Sequence, residues 1–336
     1  MNKRGEGIQF NWIFVIIAGA IILGFFTMFV FKYIDLQVAK ENVEISRMFS
    51  NTILALEGSS SGGGFVIPSY EDSAFNKIKM YANVAYNCSE EEASFIINNE
   101  EMSKQTLLDE LVFSPDKMYI NKLNTWIYPW KHPFFISNVI YLAPPEKKFF
   151  IVYDSSTQTY VDNLDIVGDY LVKDAFSITT TMNKEQIKGD YVGVIWITQT
   201  KPSIDFIKGL SKEHKKFSFV YINEKTHKVT FYENGKYGDE FDYIGDALLF
   251  GAIFSESSKS YSCSLERAKK RLKSVTKIIN GRIDLVSKDE TTEGCGIAYS
   301  SMKSLLDSFS SGNYFSETDI LKMNDNIIGK GCNFAF

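Results

Sequence analysis

Few residues in this chain have the types and spacing that chemistry requires. There are three histidines, His132, His214 and His227, each on a polar or turn-like stretch. The chain has no G-x-G-x-x-G, no P-loop and no H-E-x-x-H, so it lacks the glycine-rich phosphate cradle and the helical zinc pair. The absence of a visible nucleophile-and-base constellation argues against an enzyme. His132 has the most notable neighbourhood, TWIYPWKHPFF, in which Trp126, Tyr128, Trp130, Phe134 and Phe135 crowd together. Flat apolar rings with polar edges, Trp126, Tyr128 and Trp130 beside His132, could form a platform for a sugar ring or a peptide. The preferred reading is plainer: alternating aromatics between prolines are strand ends packed into a core.

Two acidic sets, Asp239, Asp242 and Asp246 in GDEFDYIGD and Asp162 with Asp165, offer the oxygen ligands that calcium prefers. Neither has the D-x-D-x-D-G loop spacing, so they read as solvated turns, and no metal or cofactor is expected. The basic run Arg267, Lys269, Lys270, Arg271 and Lys273 could face anionic lipid or cell-wall polymer. It is interleaved with an apolar stripe, so it reads as the solvated outer face of a helix. Net charge is −5 and the pI is about 5.5, which argues against a nucleic-acid interface, since phosphate binding requires clustered positive charge.

Four cysteines, Cys88, Cys263, Cys295 and Cys332, lack C-x-x-C spacing. An even number of scattered cysteines in a domain held at a membrane points to two disulfides on the oxidising face, with buried free thiols in a cytosolic domain as the alternative. Three connectivities are open, and spacing does not choose among them. Asn87-Cys88-Ser89 fits the N-x-S/T glycosylation pattern, although a disulfide at Cys88 would crowd a glycan.

The element that must position all of this is Trp12 to Phe31, twenty residues without charge or proline. As a helix it is roughly 30 Å long, the thickness of a bilayer's hydrocarbon core. Lys3, Arg4 and the terminal amine precede it, whereas Lys32 and Lys40 follow it among Asp35, Glu41 and Glu44. The bias favours a cytoplasmic N-terminus and a C-terminal domain outside. The run is too long for a cleaved signal's apolar region and no well-placed A-x-A site follows it, so it stays as an anchor.

The order of a short basic segment ending in glycine, Lys3-Arg4-Gly5-Glu6-Gly7, a few polar residues and a long apolar helix resembles the class III signal sequences of type IV pilin-like proteins, particularly archaeal ones. The resemblance implies cleavage by a prepilin peptidase on the cytoplasmic side after Gly5, with Gly7 as the alternative, and an apolar helix that remains on the mature protein. It covers about fifty residues. The chain departs from the family at the fifth mature position, where the usual glutamate is replaced by Phe10, or by Trp12 for the later cut.

Beyond the span, Val43, Ile45, Met48, Phe49, Ile53, Leu54 and Leu56 recur at helical spacing, so one helix of about fifty residues and roughly 75 Å is expected to continue as an amphipathic stalk. The resemblance implies that its apolar stripe packs on neighbouring subunits or on the protein's own domain. Ala20 and Gly24 form a small-x-x-x-small pair that permits close helix approach. The division expected is a cytoplasmic segment 1–11, a transmembrane helix 12–31, a stalk 32–57, a Gly/Ser linker 58–64, an α/β (α+β) globular domain 65–255 with a mixed sheet, and a helical, cysteine-containing subdomain 256–336. The linker is expected to let the domain reorient.

Within the domain, Phe65 to Asn99 reads as helical, with SEEEASFIINN as a second helix capped by Ser89. From Lys117 the strands MYINKLNTWIYPW, FFISNVIYLA and KFFIVYD follow, then a helix from Tyr160 to Leu171 and the strand FSITTT. YVGVIWITQT lacks alternation, as a strand covered on both faces would. After it come the helix SIDFIKGLSKEH, the strands KFSFVYIN and HKVTFYE, and a turn at Asn234-Gly235. Three helices follow, SLERAKKRLKSVTKII, CGIAYSSMKSLLDSF and SETDILKMNDNII, with caps at Gly294 or Cys295 and at Ser316.

These features predict a single-pass protein of the cell membrane, its partners being the lipid bilayer and either other copies of itself or other membrane helices. The function expected is that of a pilin-like structural or interaction protein of the cell envelope. A membrane-tethered receptor or enzyme, with its site at the carboxyl ends of parallel strands, is the alternative.

Overall fold

The computed structural model describes residues 6–57, 65–66, 82–107, 109–120, 123–164, 171–172, 187–289, 295–312 and 317–333. Helix α1 runs unbroken over Glu6–Glu57, 52 residues, or about 78 Å at 1.5 Å per residue. Every large apolar side chain from Trp12 to Val38 is exposed. At Asn42 the surroundings change: Asn42, Ser46 and Ile53 are buried, with Ile45 and Phe49 packed beside Ile53 in one core. Steps of three and four residues place these side chains on one face of the helix. The expected stalk therefore divides near Asn42, and its second part belongs to the folded body. Packing, as well as residues 58–64, holds the body to the helix.

Three sheets form that body. The first has the order β1–β7–β8–β5, made of Phe65–Val66, Asn124–Lys131, Phe135–Ala143 and Leu111–Phe113. The second, wholly antiparallel, has the order β4–β3–β2–β6, made of Gln105–Leu107, Ala93–Ile97, Ala82–Cys88 and Lys117–Ile120. The third has six strands in the order β10–β9–β11–β12–β13–β14, made of Leu171–Val172, Lys147–Tyr153, Tyr191–Ile197, Lys216–Asn223, Lys228–Glu233 and Lys236–Asp242. Its first four strands are parallel and its last two antiparallel. Helices α2 (Gln158–Asn163) and α3 (Ile204–Ser211) lie between its parallel strands in sequence. The fold is an α+β domain on a long apolar helix.

Alternation along the strands separates three cores. In the first sheet Leu111, Phe113, Trp126 and Tyr141 point one way and Val112, Ile127, Ile140 and Leu142 the other, as period-two geometry requires. The second set meets Val84, Tyr86, Phe95 and Ile97 of the second sheet together with Ile53 of α1. The first set meets Phe149, Ile151, Ile195 and Ile222 of the third sheet across helix α4, Gly245–Ser255. On the third sheet's other face Trp196, Phe219 and Tyr221 pack with Ile207 and Leu210 of α3. All seven residues of β11 are buried, in keeping with the non-alternating run.

Several expectations are corrected. SEEEASFIINN forms a turn and the strand β3: Ser89 closes the turn, its hydroxyl accepting from the Glu92 amide at 3.1 Å, while Phe95, Ile96 and Ile97 suit a half-buried strand. Val84 and Ala85, read as helical, lie in β2, and residues 67–81 fall outside the described residues. MYINKLNTWIYPW contains two strands. The helix expected from Tyr160 to Leu171 ends at Asn163, and Leu171 opens the strand β10; FSITTT, Gly294 and Ser316 lie outside the described residues. Helix α4 was not anticipated. Ala247 to Ser255 are all buried, and a helix covered on every side has no polar face to produce a 3.6-residue signal. The tail agrees with expectation: α5 is Ser258–Asp289, α6 Cys295–Ser310 and α7 Glu317–Gly329.

Candidate functional site

On the exposed part of α1, Ala20, Leu23, Gly24, Thr27, Met28, Phe31, Lys32 and Asp35 line one shallow cleft. Ala20 and Gly24 thus share a face, and a Cβ built at Gly24 would meet nothing within 4 Å. The Thr27 hydroxyl donates to the Leu23 carbonyl at 2.8 Å, so its polarity is satisfied within the helix. Gly7 lies in α1, and Gly5 falls outside the described residues.

The buried part of α1 carries polar groups, each with a partner. Asn42 Oδ1 accepts from Asn98 Nδ2 at 2.8 Å, and Asn98 Oδ1 accepts from the Asn83 amide at 2.8 Å. The Ser46 hydroxyl donates to the Ser103 carbonyl. Ser103 is itself buried, its Oγ accepting from the Ile97 amide at 2.8 Å. Below this polar pair the Phe49 and Phe95 rings meet edge to face, centroids 4.7 Å apart. Moving the helix along its axis would leave the buried Asn42, Ser46 and Ser103 groups unpaired, so the contacts specify one register as well as adding stability. Sequence reading missed Asn42, Ser46 and Ser103. The available signal was two polar residues four apart on the same stripe as Phe49 and Ile53.

The cysteines join in one of the three open connectivities. Cys88 at the end of β2 is bonded to Cys263 in α5, across 175 residues, and Cys295 at the start of α6 to Cys332 beyond α7, across 37. Asn87 is exposed directly beside the first bond.

The aromatic stretch lies mainly in the core. Trp130 is 1% and Trp126 8% exposed. Trp130 Nε1 donates to the Ile244 carbonyl at 3.0 Å, and Trp126 packs on Phe254, centroids 4.9 Å apart. Tyr128, half-buried, meets Phe250 edge to face at 5.2 Å, and His132 packs on Phe309 at 5.6 Å. Helix α4 and Phe309 occupy the ring faces that a sugar would need, which corrects the platform expectation in favour of core packing.

The basic run of α5 also differs from a uniformly solvated face. Arg267 is buried, and its Nη2 donates to the Leu107 and Glu110 carbonyls at 3.1 Å each, fastening α5 to the second sheet. Lys269 and Lys270 reach Glu266 and Glu90 at the surface. Asp239 and Asp242 lie on β14, Asp246 in the first turn of α4 and Asp162 in α2, while Asp165 falls outside the described residues. Among the described residues no group of three or more His, Cys, Asp or Glu is arranged to hold a metal ion.

No protein-family model, no curated protein and no solved structure matches this chain.

Proposed function

We propose that this protein is a single-pass, membrane-anchored structural or interaction subunit of the cell envelope, pilin-like in plan. The apolar part of α1 lies in the bilayer and meets other membrane helices or other copies, and the α+β body is displayed outside the cytoplasm. One observation supports this reading above the rest: a single continuous helix is apolar and uncovered from Trp12 to Val38, yet packed into the body from Asn42 to Ile53. A water-exposed surface of this extent is strongly unfavourable, whereas a bilayer accommodates it. Two disulfides fit an oxidising compartment.

The test is intact mass with N-terminal peptide mapping of the membrane-extracted protein, before and after reduction. The expected mature chain starts at Glu6 or Ile8 and gains hydrogens at all four cysteines on reduction. A chain that keeps Lys3 and Arg4 and carries four free thiols overturns the reading. A Gly5→Val variant separates processing from anchoring: it should remain full length and fail to assemble. A variant with the same mature length and the same assembly as the wild type would remove the pilin-like part of the proposal.

A further inference from the structure

The third sheet contains a lysine with no access to solvent. Lys147 opens β9 and its side chain is 0% exposed. The neighbouring strand makes room for it. A Cβ built at Gly193 of β11 would stand 2.9 Å from Lys147 Cε and 3.0 Å from the Phe149 ring, so any larger residue would force the lysine stem aside. Its ammonium lies 4.5 Å from the Phe149 ring centroid and 5.4 Å from that of Tyr191. Lys147 Nζ is 2.6 Å from Glu256 Oε1, and the Tyr191 hydroxyl donates to the same oxygen. Glu256 follows α4 with a left-handed φ of 60°, which turns it back toward the amino ends of the parallel strands.

This pair differs from every other ion pair among the described residues. In those, both side chains are at least 31% exposed. An ammonium carries three N–H donors, and here its acceptor is one carboxylate oxygen, with the Phe149 and Tyr191 rings beside it. Burial pulls the Lys147 amine below its usual range, against the opposing pull of Glu256. Burial, then the Glu256 charge, pushes the Tyr191 phenol well above its own, so it remains a proton donor. Desolvation disfavours the charged form of the Lys147 amine and so makes it a better nucleophile toward the carboxylate held against it. Fixed contact replaces a bimolecular encounter with an intramolecular one of very high effective concentration.

We propose that Lys147 and Glu256 form a covalent amide cross-link. A proton passes from the ammonium to the carboxylate, and the neutral Nζ attacks Cδ of Glu256. The Tyr191 hydroxyl hydrogen-bonds to the carboxyl oxygen that gains negative charge in the tetrahedral intermediate. A C–N bond forms, a C–OH bond breaks, and the proton released by nitrogen leaves with the hydroxyl as water. No oxidant, cofactor or second substrate enters the balance. Glu256 is 20% exposed, which gives the water a way out. The bond would tie the first long parallel strand to the end of α4, 109 residues away in sequence, by a link that reductants do not cleave. It does not depend on membrane insertion or on the function proposed above.

The experiment is the intact mass of the full chain, extracted in detergent, with disulfides reduced and alkylated. The expected mass is that of the linear chain, allowing for N-terminal processing, less one water. Digestion should then release a branched peptide joining the segments that contain Lys147 and Glu256. Recovery of both segments only as linear peptides, with Lys147 open to acylation after denaturation, means an ordinary ion pair and overturns the proposal. A water loss mapped to any other position overturns it as well. Lys147→Arg should abolish the loss; because the space beside Gly193 is already filled by the lysine stem and a larger side chain strains the fold, the wild-type mass is decisive. Tyr191→Phe should give a mixture of cross-linked and linear chain in place of complete conversion.

Discussion

From Trp12 to Val38 every large side chain of α1 is uncovered; from Asn42 to Ile53 the same helix buries an asparagine, a serine and an isoleucine on one face. The backbone is continuous, so local conformation does not distinguish the two parts. Their side-chain chemistry does. The first part has apolar groups on every face, which suits a surrounding medium that is itself apolar. The second has one apolar stripe interrupted by amide and hydroxyl groups, which suits a fixed protein partner offering a matching donor or acceptor at each point. A helix can thus be anchored twice by different physics: by a medium that accepts any rotation about its axis, and by a surface that accepts one register.

Substitutions can break or sharpen this contrast. The largest expected effect falls on the body that receives the buried part. Loss of the Cys88–Cys263 bond in a Cys88→Ser, Cys263→Ser variant should cost about 5 kcal/mol by loop entropy, against about 4 kcal/mol for the shorter loop closed by Cys295–Cys332. Urea midpoints of the two double variants give the order, and a reversed order would mean that β2 does not depend on its tie to α5. Next, Ile53→Ala should lower domain stability by about 2–5 kcal/mol, while Leu23→Ala should leave it within about 0.5 kcal/mol. Equal losses in the unfolding curves would abolish the distinction between the two parts. Leu23→Arg should then act in the opposite sense. It places a charge mid-helix at about 3 kcal/mol in lipid, so retention in carbonate-washed membranes should fall while the unfolding midpoint stays unchanged. The smallest effect is expected for Ser46→Ala, about 1–2 kcal/mol, because the buried Ser103 carbonyl loses a donor. No change would place water at that contact.

Some of this was legible from residues alone. The stripe in SLERAKKRLKSVTKII marked α5 because Leu265, Ala268 and Leu272 recur at helical steps. Asn234-Gly235, with φ of 52° and 80°, makes the two-residue turn between β13 and β14 that this dipeptide favours. Other elements gave no local sign. SEEEASFIINN has a serine that could cap a helix, yet its last residues pair across β2 at Ile97↔Val84 and Phe95↔Tyr86, and cross-strand packing outweighed the cap. Trp126, Tyr128 and Trp130 alternate as strand residues should, but whether their rings met solvent or protein depended on α4, more than a hundred residues later in the chain.

The sequence by itself determined the long apolar helix, the doubly buried strand YVGVIWI and the helical tail, because hydrophobic periodicity and charge are local properties of the chain. Tertiary structure decided how those pieces meet: which cysteines pair, which part of α1 is covered, and that Gly193 clears the path by which Lys147 reaches Glu256. These are relations between residues far apart in sequence. Their energies come from burial and geometric fit, which exist only once the sheets have been brought together.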